Sequence, residues 1–197
     1  MKKKVLILAV LAAFSSIIAT GTLAYYTAED KAHNVITSGS VGSKIIETTM
    51  DSEGKLVEFP AGGIDGVMPG TSVSKIVVVQ NDGKADAWIR VKVEAAINST
   101  DSNSLPLSLS TPSNPVMAYD IEADWIEGED GYYYYKDPVK PGEETKQLFD
   151  TVSFAAEMDN RYQGCTAQLM IYAESVQVAN NGTTVLKAKG WPKQPNN

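Results

Sequence analysis

The sequence predicts an all-β fold: an antiparallel sandwich or barrel with long loops. Three observations carry this. Short runs rich in Val, Ile, Thr and Tyr recur at roughly 8–12-residue intervals, and Gly, Pro, Asn and Asp turn signals separate them. Ala87 to Ala95 alternates cleanly, with Ala87, Ile89, Val91, Val93 and Ala95 on one side and Trp88, Arg90, Lys92 and Glu94 on the other, as a strand with one buried face requires. No stretch keeps a helical period, and no internal repeat is present.

The N-terminus has a different character. Lys2-Lys3-Lys4 is a compact basic cluster, and Val5 to Ile18 is apolar except for Ser15 and Ser16. Small and polar residues follow, from Ala19 to Ala24. This order describes a secretory signal peptide over residues 1–24, cut between Ala24 and Tyr25. The apolar part is shorter than the roughly 20 residues a membrane span needs. Beyond the cut, residues 25–40 open with Tyr25-Tyr26-Thr27-Ala28 and continue through Val35-Ile36-Thr37, which makes them a candidate strand. Glu29, Asp30 and Lys31 lie between these pieces and favour an idle, solvated terminus instead.

Residues 41–190 supply the sandwich. Val35 to Glu47 reads as a strand with bends at Gly39 and Gly42. Leu56 to Phe59 is a short strand stopped by Pro60. Met68-Pro69-Gly70 is a turn, and Val73 to Asn81 is a β-branched run closed by Asn81-Asp82-Gly83. Asn98 to Pro115 reads as a long exposed loop with one short strand at Leu105 to Leu109. Met117 to Glu127 and Tyr132 to Lys136 flank the hairpin turn Gly128-Glu129-Asp130-Gly131. Pro138 to Gly142 is a rigid turn. Thr145 to Ala156 and Thr166 to Val178 complete the strands, and Asn180-Asn181-Gly182 closes the last one. Residues 191–197 read as a polar tail.

Composition narrows the function. The chain has 197 residues and a net charge of −7, and the signal removes three lysines and no acid when it is cut. An acidic exported domain repels nucleic acid and anionic membrane, so neither is an expected partner. The sequence predicts contact with a membrane only through the precursor's signal. Cys165 is the one cysteine, so no intrachain disulfide is possible; it is expected to be a small buried residue. No lipoprotein cysteine, second apolar span or sorting signal is read in the sequence.

Taken in order, several pieces resemble the TasA/camelysin family of secreted fibre proteins: Thr22 to Thr27, Ser38 to Val41, Met68-Pro69-Gly70, Asn81-Asp82-Gly83, Ala87 to Val91, Gly131 to Lys136, Lys140 to Glu143 and Leu148-Phe149. The resemblance implies a jelly-roll-like β-sandwich and export through a SipW-type signal peptidase. It also implies polymerisation into biofilm-matrix fibres by donor-strand exchange, with the mature N-terminus of one subunit completing the sheet of the next. The partner is then the chain itself, head to tail, or a paralogous subunit. Edge-strand physics allows the same route, because an open sheet edge templates another strand and a contact that does not close makes a filament.

Other chemistries find less in the residues. Some camelysin relatives are labelled metallopeptidases, but His33 is the one histidine here and no His-Glu-x-x-His motif is present. No catalytic residue, metal site or cofactor is expected. The acids Asp120, Glu122, Asp124, Glu127, Glu129 and Asp130 lack the calcium-loop spacing and read as a solvated face. Asn98-Ser99-Thr100 has the form of a glycosylation sequon and is read as coincidence. Tyr132 to Tyr135 should place two rings inward and two outward. The outward pair, with Trp88, leaves open an adhesin-like reading in which exposed aromatics bind carbohydrate or a host surface. Packing at the sandwich edge is the plainer reading, and a cation–π contact of Trp88 with Arg90 or Lys92 is also possible.

Overall fold

Two sheets pack around one apolar core. The computed structural model describes residues 33–34, 41–60, 68–98, 108–109, 115–162 and 165–192. All of these belong to one compact unit, residues 32–197. The signal peptide and its cut at Ala24–Tyr25 lie outside the described residues. So do Tyr25, Tyr26, Thr27, Ala28, Val35, Ile36 and Thr37, and the strand expected at Leu105 to Leu109 lies there except for its last two residues.

The strands are β1 (His33–Asn34), β2 (Lys44–Met50), β3 (Leu56–Glu58), β4 (Ser72–Ser74), β5 (Ile76–Gln80) and β6 (Ala87–Asn98), followed by β7 (Met117–Tyr119), β8 (Trp125–Glu127), β9 (Tyr133–Tyr135), β10 (Thr151–Phe154) and β11 (Thr166–Gln177). Single-turn 3₁₀ helices occupy Asn160–Tyr162 and Val185–Lys187. The first sheet has the order β1-β11-β6-β9-β8. Its spine is the antiparallel pair β6–β11, in register from Ala87↔Gln177 to Asn98↔Thr166. The second sheet begins with β3-β2-β5. Beyond β5 it continues through hydrogen bonds from Thr145 N to Val79 O (2.9 Å), Leu148 N to Val77 O (2.7 Å) and Lys75 N to Asp150 O (2.9 Å). That segment runs on into β10, which pairs with β4 on one side and β7 on the other.

The core fills the space between the sheets. Ile89, Val91 and Ala173 enter from the first sheet; Val77, Val79, Leu148, Phe149 and Val152 enter from the second. The alternation read in Ala87 to Ala95 is realised, since its apolar set faces this core, and the strand runs on to Asn98. Other boundaries differ from expectation for identifiable reasons. The run Val73 to Asn81 splits at Lys75, whose amide bonds Asp150 and whose ammonium pairs with Glu47 at 2.9 Å, 3.7 Å from the centre of the Phe59 ring. Met117 to Glu127 is broken by a turn in which Trp125 N bonds Glu122 O. Thr145 to Ala156 is regular strand over Thr151–Phe154 alone, because its first half exchanges hydrogen bonds with both β5 and Glu122.

Two Pro-Gly turns set strand ends in the same way. In each, proline fixes the second residue and glycine takes a positive φ at the third, +72° at Gly70 and +79° at Gly142. The closing bonds run from Thr71 N to Met68 O and from Glu143 N to Lys140 O. Asn81, wholly buried, holds the turn after β5: its amide donates to Ala85 O and Val139 O, and its Oδ1 accepts from Gly83 N.

Candidate functional site

Two features stand apart from the main core, and both lie on the first sheet. One is its edge at β11. The other is its outer face, the side away from the second sheet.

At the edge, β1 adds to β11 in parallel, pairing His33 with Tyr172 and Asn34 with Ala173. Every other strand pair described is antiparallel. β11 is 12 residues long, and among the described residues no strand pairs with this edge apart from β1. Ser43 Oγ donates to Ala173 O at 3.3 Å, which ties the start of the second sheet to the same spot. Away from β1 the inner face of the β6–β11 ribbon is covered unevenly: Val93, Ala95, Ala167 and Leu169 are half-buried, while Ile97 and Ile171 among them are buried. Backbone donors and acceptors along an open edge are available for another strand.

The outer face is built from directly opposed residues. Glu174 on β11 faces Arg90 on β6, Arg90 faces Tyr134 on β9, and Tyr134 faces Ile126 on β8. One row over, Val176 faces Trp88. The Arg90 guanidinium donates to Glu174 Oε2 from Nε (2.8 Å), pairs with it again through Nη2 (2.7 Å), and donates from Nη1 to Asp130 Oδ2 (3.1 Å). It lies 3.9 Å from the Tyr132 ring centre and 4.7 Å from that of Trp191. Tyr132 donates to Glu174 Oε1 at 3.1 Å, and Tyr134 donates to Asp130 Oδ2 at 2.6 Å. Burial alone would pull Arg90 below its ordinary value; hydrogen bonds to Tyr134 and Glu174 outweigh it and hold the guanidinium above that value. Burial, reinforced by Asp130, raises Tyr134.

The reading of Trp88, Arg90, Lys92 and Glu94 as a polar outer face holds for Lys92 and Glu94, which stay partly exposed, and is corrected for Trp88 and Arg90. Trp88 is 4 % exposed and Arg90 7 %. The cover comes from the C-terminal segment, whose Val185 and Ala188 are buried on Trp88, Tyr132, Tyr134 and Val176, with Trp191 packed alongside. Trp191 meets Tyr134 edge-on at 5.8 Å, and Pro192 O accepts from Arg90 Nη2 at 3.4 Å. The tyrosine run does alternate: Tyr133 and Tyr135 pack on the main core, Tyr132 and Tyr134 on the outer one. The outward pair is therefore spent on packing and is not displayed for a sugar ring. The cation–π partners of Arg90 are Tyr132, Trp191 and Tyr134.

The remaining candidates fall as follows. β1 carries His33 in its backbone pairing. Cys165 is half-buried against the main core and its Sγ donates to Arg161 O at 3.3 Å. Of the acids, Asp130 pairs with Arg90 and Glu122 accepts from Gln147 at 3.2 Å. Among the described residues no three His, Cys, Asp or Glu side chains are grouped to hold a metal ion, and no helix is long and apolar enough to cross a membrane. Asn98 donates to Gln168 Oε1 at 3.2 Å, across β6–β11.

The chain matches no protein-family model and no curated protein. The functional reading thus rests on the sheet edge, the covered face and the sequence motifs.

Proposed function

We propose that this chain is a secreted structural subunit with a jelly-roll-like sandwich, one that polymerises into extracellular matrix fibres through its mature N-terminal segment. The observation that carries the reading is the β1–β11 pairing. A piece of the N-terminal segment already adds to the edge of the long strand β11, by two residues, and among the described residues no other strand pairs with that edge. The same kind of addition made by a neighbouring copy, or by a paralogous subunit, is donor-strand exchange. Main-chain hydrogen bonds would hold the donor, and the half-buried Val93, Ala95, Ala167 and Leu169 would take its alternate side chains. Each subunit gives one strand and accepts one, a head-to-tail contact that generates a filament when its rotation does not close into a ring.

In this reading the cut between Ala24 and Tyr25, made by a SipW-type signal peptidase, frees the donor and times assembly. The donor comprises Tyr25, Tyr26, Thr27, Ala28, Val35, Ile36 and Thr37. The chain needs no catalytic residue, metal or cofactor for this work. The test is a mature chain lacking Tyr25 to Ser38, compared with the intact mature chain by negative-stain electron microscopy and sedimentation. The intact chain is expected to form fibres, and the shortened chain to stay monomeric with its β-sheet circular dichroism retained. Fibres of normal appearance from the shortened chain would refute the proposal.

A further inference from the structure

The turn after β11 holds the C-terminal segment in place through one side chain. Asn181 Nδ2 donates to Gln177 O and to Lys189 O, each at 3.0 Å, and its Oδ1 accepts from Lys189 N at 2.8 Å. The next residue has no freedom of type. A Cβ on Gly182 would sit 2.6 Å from Ala188 N and from Lys187 C, both backbone atoms. The fold therefore demands an Asn-Gly pair at the point that ties down Val185, Ala188 and Trp191 over Trp88, Tyr132 and Tyr134. Asn-Gly is also the dipeptide whose side chain is most open to attack by the following backbone nitrogen, because glycine offers that nitrogen no steric shield.

We infer that Asn181 is a self-modification site, deamidating when the C-terminal segment lifts and thereby preventing the segment from seating again. The chemistry needs water alone. The Gly182 backbone nitrogen, giving up its proton to a water or buffer base, forms a bond to Cγ of Asn181. The Cγ–Nδ2 bond breaks and ammonia leaves, taking up a proton. Water then opens the resulting succinimide at either carbonyl and leaves aspartate or isoaspartate at 181. While the segment is seated, three hydrogen bonds fix the amide and limit the rotation that attack by Gly182 N requires. After reaction, a carboxylate oxygen stands where Nδ2 was and faces two carbonyl oxygens it cannot donate to. Isoaspartate also lengthens the backbone where Gly182 packs against Lys187 and Ala188. Both products uncover the outer aromatic face for good, so the exposed apolar surface of an exported molecule records its age.

The experiment incubates the purified full chain at mildly alkaline pH and follows residue 181 by peptide mass spectrometry with isoaspartate resolved. It uses wild type, Trp191→Ala and wild type held unfolded in denaturant. The unfolded chain is expected to react fastest, and Trp191→Ala several-fold faster than folded wild type. Equal rates for Trp191→Ala and wild type, or no reaction in the unfolded chain, would overturn the inference. Asn181→Asp reads the second half independently. It should red-shift tryptophan fluorescence and increase its quenching by acrylamide while β-sheet circular dichroism persists. Fluorescence and quenching unchanged from wild type would overturn that half, and aged wild type enriched in isoaspartate provides the same readout should the variant not fold.

Discussion

At the scale of single residues, the decisive group is Arg90. Its charge is buried with Glu174, a residue 1 % exposed, so the pair is stable only while both members are present. Arg90→Met removes the cation and leaves the Glu174 carboxylate buried without its Arg90 partner, a loss of about 3–5 kcal/mol. Adding Glu174→Leu should recover part of that loss, because an apolar pair pays no charge-desolvation penalty. Urea unfolding of the two variants checks both statements; equal stability of single and double variants would show that packing on Tyr132, and not charge, holds the site. Asp130 is partly solvated, and its removal should cost under about 1 kcal/mol. A second residue-scale prediction concerns Tyr119. Burial foremost, then Tyr133 and Glu127, raise its hydroxyl from 10.0 to about 12. Between those values the unfolded chain has released this proton and the folded chain has not. The stabilisation is complete below pH 10 and is lost as pH rises toward 12. Tyr119→Phe should flatten this alkaline loss of stability by roughly 1–2 kcal/mol, measured by unfolding at pH 9 and at about pH 11.5.

At the scale of elements, what the sequence reveals follows from how local each cause is. β6 is legible because its period of two is uninterrupted, and the hairpin β8–β9 because Gly128 to Gly131 marks its turn. The Pro-Gly turns declare their own geometry. The break at Lys75 is not legible, since it depends on a partner far along the chain, Asp150, and the turn that breaks the run after Tyr119 is likewise tied to a distant partner, by Glu122 N to Leu148 O. The largest departure, the buried outer face, has the same origin. Val185, Ala188 and Trp191 recur at every third position, but over a stretch too short to declare an element, and together they cover Trp88 and Arg90. Of the site, the alternation of the tyrosine run is readable, but not its destination. Asn81 illustrates a turn signal that proves to be a buried tie: Asn81→Ala removes its bonds to the Ala85 and Val139 carbonyls and to the Gly83 N–H, and Val139 O keeps its bond from Ala87 N. The expected cost is about 2–3 kcal/mol, a buried polar network broken at its centre. Val185→Ala, by contrast, should cost about 1–2 kcal/mol and act on the outer cluster alone. Its signature is a tryptophan fluorescence change with little change in the exchange protection of β6 amides.

At the scale of the whole molecule, charge opposes the proposed assembly. The chain carries −7, and the proposed cut, removing Lys2, Lys3 and Lys4, would take the mature subunit to −10. Head-to-tail copies then approach against mutual repulsion, while strand addition itself is made of main-chain hydrogen bonds and apolar side chains that salt hardly touches. Screening should therefore speed assembly. The Debye length falls from about 30 Å at 0.01 M salt to about 8 Å at 0.15 M, shorter than the span of a subunit. Lowering pH toward the acidic isoelectric range, about 4.8 for the full chain and lower once three lysines are lost, removes the same repulsion by protonation and should act in the same direction. Light scattering of the mature chain across a salt series is expected to show a shorter lag and faster growth as salt rises. The chain lacking Tyr25 to Ser38 should show neither at any salt concentration, since screening removes a barrier but supplies no donor strand. The opposite salt trend in the mature chain would mean that complementary charges make the contact. Glu29, Asp30 and Lys31 would then be its first candidates, and polymerisation through an apolar donor strand on the β11 edge would have to be abandoned.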